Sequence, residues 1–242
     1  LFDSHAHLDD RKFDSDRSET IAALQKSGVS CFVNIGADME SSESSVALAE
    51  KYDFVYAAVG VHPYDAETVT DELIEKLRAM AQNKKVVAIG EIGLDYHYDF
   101  SPREKQKEVF AAQLELANEL DLPVIIHDRE AHADTLELVK KYRPKGIIHC
   151  FSGSAETAKE FLRLGMYIGF TGSVTFKNAN KILLAAEVVP EDRILLETDS
   201  PYMAPVPYRG QRCDSCLIPA TAERLAEIRG TDAQTLINKA FE

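Results

Sequence analysis

Short apolar runs alternate with amphipathic stretches along the whole chain. Leu1-Phe2-Asp3-Ser4-His5-Ala6-His7-Leu8 reads as a strand that ends in a His-x-His pair. After an Asp-rich loop, Ser18 to Ser27 has helical periodicity and Gly28 closes it. The second strand is expected over Val29 to Gly36 and the second helix over Ser41 to Tyr52. Val55 to Pro63 forms the third strand, with a helix over Asp71 to Ala81. The fourth, Val86 to Asp95, feeds a long helix from Pro102 to Leu120. Pro123 to His127, Gly146 to Gly153, Met166 to Gly172 and Arg193 to Asp199 are the remaining strands. Their helices are expected over Ala131 to Tyr142, Ala155 to Leu164 and Ala179 to Ala186. After a long loop follow Pro219 to Ile228 and Asp232 to Ala240.

Eight apolar strands alternating with helices, polar chiefly where they end, predict an α/β fold: a TIM-type (β/α)8 barrel, one domain over residues 1–242. An open doubly wound sheet is the rival, but its first strand normally enters a glycine-rich phosphate turn, which Ser4-His-Ala-His does not resemble.

The polar residues carry the chemistry. His5 and His7 end strand one, and alternation puts both on one face about 7 Å apart, close enough to share a cation. Glu91 is placed at the end of strand four, His127 at the end of strand five, His149 at the end of strand six and Asp199 at the end of strand eight. In a barrel these ends open on one mouth, so six candidate ligands are expected to converge there. Singly, each could be an ordinary loop residue or helix cap. Histidines with carboxylates and no convincing thiolate suit Zn²⁺ or Mn²⁺ better than an all-oxygen Mg²⁺ or Ca²⁺ site. Six ligands exceed one tetrahedral site, so two divalent ions are expected, with Glu91 as the carboxylate between them. Asp199 is expected to bind one ion and accept the proton of the attacking water. His62, Asp95 and Arg129 are assigned to the surroundings: His62 as a donor to phosphate, Asp95 as the carboxylate orienting a metal-binding imidazole, Arg129 as a phosphate clamp. Arg209 and Arg212 are further candidates for phosphate. Tyr64, Tyr96, Tyr98, Phe151, Phe170 and Tyr202 are candidates for stacking on unpaired bases.

The net charge of −13 argues against a broad basic nucleic-acid surface, but bound cations can supply positive charge locally. A long apolar run and a basic-then-apolar leader are both missing from this sequence, so no membrane partner is expected. Four cysteines do not make a disulfide framework and favour a cytoplasmic location. The C-x-x-C of Cys213 and Cys216 is read as two incidental loop residues, and Cys150 is expected to face the helices.

The stretches Asp3-Ser-His-Ala-His-Leu8, Gly60-Val-His-Pro63, Gly90-Glu-Ile-Gly-Leu-Asp-Tyr96, Ile126-His-Asp-Arg-Glu-Ala-His132, Ile148-His-Cys-Phe-Ser-Gly153 and Leu196-Glu-Thr-Asp-Ser-Pro-Tyr202 span the chain in order. Together they resemble the TatD family of metal-dependent deoxyribonucleases, a branch of the amidohydrolase-like barrels. The resemblance implies two divalent metals, with His5, His7, Glu91 and Asp199 around one and Glu91, His127 and His149 around the other. It also implies hydrolysis of DNA phosphodiester bonds, commonly by magnesium-dependent exonucleases acting from the 3′ end or by endonucleases, and the expected partner is DNA, single-stranded or at a 3′ end. The metal among Mg²⁺, Mn²⁺ and Zn²⁺ stays open. One departure is visible. Where the family usually has Gly-Lys-Arg-Asn-Glu-Pro, this chain has Gly210-Gln-Arg-Cys-Asp-Ser-Cys216.

The alternatives are a dinuclear barrel hydrolase of a small phosphoester, amide or lactone, a deacylase on a nucleic-acid-linked substrate, and an inactive barrel kept for binding. Many amide- and triester-cleaving barrels use a carboxylated lysine from strand four. Here that strand carries Glu91 and no lysine after Lys85.

Overall fold

A computed structural model describes residues 1–241. Eight strands form one sheet in sequence order: β1 (Phe2–Ala6), β2 (Cys31–Ile35), β3 (Val55–Val59), β4 (Val86–Asp95), β5 (Val124–Arg129), β6 (Gly146–Ile148), β7 (Tyr167–Phe170) and β8 (Ile194–Leu196). The pairs β3–β4, β4–β5, β5–β6 and β7–β8 are parallel. A parallel bridge between Ala6 and Ser200 sets β8 beside β1. The helices are α1 (Arg17–Lys26), α2 (Met39–Lys51), α3 (Asp71–Met80), α4 (Arg103–Leu120), α5 (His132–Tyr142), α6 (Ala155–Arg163), α7 (Asn180–Val188), α8 (Ile218–Arg229) and α9 (Ala233–Phe241). The fold is the α/β class expected, a (β/α)8 barrel of TIM type. Among the described residues no helix is long and apolar enough to cross a membrane.

Two compact units make up the chain. One comprises Leu1–Val33, Cys150–Leu162 and the residues from Tyr167 onward; the other comprises Asn34–His149 and Arg163–Met166. Each has its own apolar centre. In the first, Phe13, Phe161, Phe170, Ile168 and Leu225 are fully or almost fully buried; in the second, Ile89, Ile92, Phe110, Leu114 and Ile126 are.

Local chemistry sets the element ends. Asp38 and Ser41 form a reciprocal cap at the start of α2, and Thr70 accepts from the Leu73 amide at the start of α3. Pro102 precedes α4 instead of occupying its first turn. Gly230 closes α8 in the left-handed region at φ 66°. Strands β6 and β8 stop earlier than their apolar runs suggest, so His149, Glu197, Thr198 and Asp199 sit on the segments just past them.

Two glutamines of α4 shape the second unit. Gln106 and Gln113, seven residues and two turns apart, are buried on one face of the helix. The Gln113 amide accepts from Val61 N at 2.8 Å and donates to Val61 O at 3.0 Å, supplying a partner to backbone that has left β3. Gln106 does the same for Asp95, accepting from its N at 2.8 Å and donating to its O at 3.1 Å. Buried main-chain groups must find partners. These two side chains thereby hold the backbone beside His62 and at Asp95.

Candidate metal centre

The first unit gathers His5, His7 and Asp199. His5 lies in β1 and His7 one residue past it, so alternation turns both rings the same way. Their Nε2 atoms are 3.0 Å apart, and Asp199 Oδ1 lies 3.7 Å from His5 Nε2 and 3.6 Å from His7 Nε2. Ligands around a divalent ion at 2.0–2.1 Å stand about 2.9 Å apart in an octahedral field and about 3.4 Å apart in a tetrahedral one. The triangle therefore fits a cation on three protein donors. Asp199 has φ 56°, an uncommon conformation for a residue with a side chain, held by its amide donating to His5 O at 2.9 Å.

Behind this triangle lies Asp3, wholly buried and not anticipated as a site residue. It accepts from Thr198 Oγ1 at 2.6 Å, Ser215 Oγ at 2.7 Å, Thr198 N at 3.0 Å and His5 N at 3.2 Å. Burial pushes its carboxyl up to about 6, against these hydrogen bonds. Ser215 belongs to the departing loop, so that loop braces β1 and the segment after β8. Arg212 in the same loop forms a double ion pair with Asp16 at 2.7 and 2.6 Å and also donates to Lys12 O. It fastens the loop to the start of α1 and is committed there, not held ready for phosphate. Arg209 lies over the Phe176 ring. The cysteines are thiols outside any disulfide; Cys213 is buried, and burial pushes the thiols of both Cys213 and Cys216 up, the opposite of what a redox pair needs. Cys150 lies beyond β6 at φ 43°, its sulfur 3.4 Å from Thr171 Oγ1. The strand ends at Ile148, so the alternation that would turn Cys150 to the helices does not reach it.

Glu197 is a second buried acid that the sequence does not single out. It accepts from Ser4 Oγ at 3.2 Å and from the Cys150 amide. Gly169 leaves it room: a Cβ there would come within 2.5 Å of Glu197 Oε1. A carboxylate inside the apolar run Ile194-Leu-Leu-Glu-Thr-Asp is the signal that could have found it.

The second unit gathers His62, Glu91, His127 and His149. Glu91 is mid-strand and not at the end of β4 as expected, because pairing continues to Asp95; it sits where the β4–β5 register shifts between Ile89 and Ile92. Its Oε1 lies 3.0 Å from His127 Nδ1, 3.7 Å from His62 Nε2 and 3.8 Å from His149 Nε2. The other nitrogen of His127, Nε2, is 2.9 Å from Asp95 Oδ2. A ligand imidazole backed by a carboxylate is a recurrent metal-site arrangement. Burial opposes charge on His127, but the hydrogen bonds to Asp95 and Glu91 outweigh it and raise the imidazole to about 9. Burial would likewise raise Asp95, yet His127 and the amides of Tyr98 and His97 bring it down to about 2.

His62 differs from its neighbours. The Tyr64 amide donates to its Nδ1 at 3.2 Å, which leaves the ring proton on Nε2. With its proton on Nε2, His62 can act as a hydrogen-bond donor; the donor atoms of His62, Glu91 and His127 all lie within 4.8 Å of one another, a spacing that could hold a cation. Arg129, at the end of β5, holds its guanidinium 4.9 Å from the centre of the Tyr98 ring. Of the other rings named from the sequence, Phe151 and Phe170 are core, while the Tyr96 and Tyr202 hydroxyls are bound by Asp134 and Asp10.

Fold and donor set together define a divalent-metal-dependent hydrolase. The family described as "TatD related DNase" matches residues 2–242. An uncharacterized metal-dependent hydrolase, YabD, of Bacillus subtilis is 43% identical over 232 residues, covering 95% of this chain and 91% of its own. The 3'-5' ssDNA/RNA exonuclease TatD of Cronobacter sakazakii is 40% identical over 241 residues, covering 96% and 91%. The crystal structure of YJJV, a TatD homolog from Escherichia coli, superposes with a TM-score of 0.92 at 33% identity over 100% of this chain and 96% of that one. The chain belongs to the TatD-related family of metal-dependent hydrolases.

Proposed function

We propose that the protein is a nuclease that hydrolyses phosphodiester bonds of DNA, single-stranded or at a 3′ end, with a water as nucleophile and two divalent ions as cofactors. The observation that carries this reading is two clusters of donor atoms, His5–His7–Asp199 and His62–Glu91–His127, each with its donor atoms within 4.8 Å of one another and each made of histidines and a carboxylate. The name of the 40% identical relative supports a nucleic-acid substrate. In this reading His5, His7 and Asp199 would hold one ion and Glu91, His127 and His149 the other. Divalent ions held there lower the pKa of a water toward neutrality and neutralise phosphoryl oxygens.

The side chains do the rest. Asp199, whose Oδ1 faces the two histidines, would accept the proton of the attacking water. His62 donates its Nε2–H to a non-bridging oxygen. Arg129 clamps the phosphate through its planar fork, and Asp95 keeps His127 in one orientation. The four unbridged thiols fit a reducing, cytoplasmic setting.

The test offers one preparation single-stranded DNA, duplex DNA, RNA, a simple phosphodiester and a lactone, with Mg²⁺, Mn²⁺ and Zn²⁺ in turn. Asp199→Asn keeps the size and one oxygen but removes the base. Hydrolysis of single-stranded DNA should fall about 10²- to 10⁴-fold, roughly 3–5 kcal/mol in the barrier, with bound metal largely retained. Faster turnover of the lactone, or DNA cleavage that survives the substitution, rejects the deoxyribonuclease reading.

A further inference from the structure

The segment between β4 and α4 leaves two large rings in solvent next to the Glu91 group. Tyr98 is 47% exposed and Phe100 63%. They stack on each other with centroids 5.3 Å apart and planes 18° from parallel. Exposed apolar side chains are common and mean little singly. Here a run of contacts ties the pair to the candidate metal-binding residues. Tyr64 meets both rings edge-on, at 5.7 Å from Tyr98 and 4.8 Å from Phe100. That same Tyr64 packs edge-on to His62 at 4.2 Å and lies 6.3 Å from His127. Arg129, paired in register with Asp95, places its guanidinium over Tyr98. One continuous run thus passes from the imidazoles through Tyr64 to an open aromatic face, with a cation at its edge.

We propose that Tyr98 and Phe100 form a stacking shelf for an unpaired base of a single-stranded nucleic acid, positioning the nucleotide next to the phosphate held at the Glu91 group. This rests on the reading of that group as a phosphodiesterase site. Every base has a π-face, so the shelf is tolerant of sequence, but a base inside a duplex has its faces covered by its neighbours. The shelf therefore selects strand state rather than sequence. Arg129 contributes twice, as a cation on the Tyr98 face and as a partner for the adjoining phosphate. The chain's charge of −13 strengthens the argument: it speaks against a broad basic surface, so short-range stacking supplies affinity that surface charge does not.

Both rings are exposed, so the Tyr98→Ala/Phe100→Ala double variant leaves the core intact, which retained metal content checks. The probes are a fluorescein-labelled oligothymidylate and the same strand with abasic nucleotides near its 3′ end. The expected result is a KM on the normal strand raised about 10- to 100-fold with kcat kept within about threefold, a KM–kcat split that general damage does not produce. The original protein should lose a similar factor on the abasic strand, and the variant should no longer distinguish the two. Unchanged KM, or equal use of both strands by the original protein, overturns the shelf. Binding of the labelled strand by fluorescence anisotropy separates the two readings. A protein that binds but never cleaves, and loses binding in the variant, keeps the shelf and rejects the nuclease; binding indifferent to the variant rejects the shelf.

Discussion

The two donor groups are braced in opposite ways. His127 stands between two carboxylates, Glu91 and Asp95, at 3.0 and 2.9 Å. Behind the His5–His7–Asp199 triangle stands Asp3, which faces hydroxyls and amides. The first arrangement favours a positive charge at the imidazole. The second favours a proton on Asp3 itself. In both, a buried acid braces a candidate ligand, but only in the His127 group does it also set the charge of the side chain it touches. What differs is the electrostatic partner of the brace, not its distance.

The largest effect that would break this comparison is loss of the His127 brace. Asp95→Asn keeps a hydrogen-bonding oxygen but removes the charge, and metal affinity at the Glu91 group should weaken about 10- to 100-fold. Titration with Mn²⁺ followed by electron paramagnetic resonance should show one weakened class of site and one unchanged; equal weakening of both would show that the groups are not braced independently.

Arg129→Ala should act on substrate alone. KM for single-stranded DNA should rise about tenfold with kcat preserved, because phosphate binding weakens while the nucleophile is untouched. A matching fall in kcat would mean that Arg129 assists the transition state.

Proton linkage sharpens the comparison further. His127 is raised above its unfolded value of 6.5, so its contribution is complete below about pH 6.5 and is lost as pH rises through about 9. Asp3 is raised from 3.8 to about 6, so folding is favoured by its proton and loses that help between about pH 4 and 6. Metal-free protein should therefore show two downward steps in melting temperature as pH rises. Asp3→Asn should remove the lower one alone. A single step, or a rise in this range, would contradict the assignment.

The smallest expected effect is at Cys216. Its thiol is held protonated by burial, and it lies in the loop that braces the Asp3 group. Cys216→Ser should leave metal content and turnover within about twofold; a tenfold loss would give the C-x-x-C a role.

Helix ends are readable from the sequence to within a residue or two because caps and amphipathic period are local. Donors along the strands are readable on similar grounds: a histidine or acid at the end of an apolar run is costly to bury unless something there binds it. What escapes depends on contacts far apart in sequence. Asp3 reads as a strand residue until Thr198 and Ser215 arrive. The tautomer of His62 depends on one backbone amide, and Gln106 and Gln113 read as polar helix positions until the strand backbone they satisfy is known. Phe100 does not stand out because an aromatic beside Ser101 and Pro102 says nothing about which way it faces. The rings named for stacking split for the same reason: Phe151 and Phe170 share the aromatic character of Tyr98 but not its exposure.

The span between Asp3 and its partners has a consequence for how the protein is made. The Thr198 hydroxyl that bonds Asp3 lies 195 residues downstream, and the Ser215 hydroxyl 212. At about 5–20 residues per second, a ribosome takes on the order of 10 to 40 seconds between those residues. During that interval β1 has neither β8 beside it nor the donors that satisfy its buried carboxylate. The His5–His7 pair therefore waits on the nascent chain as an exposed His-x-His, able to pick up whatever cation the surroundings offer before the selective site exists.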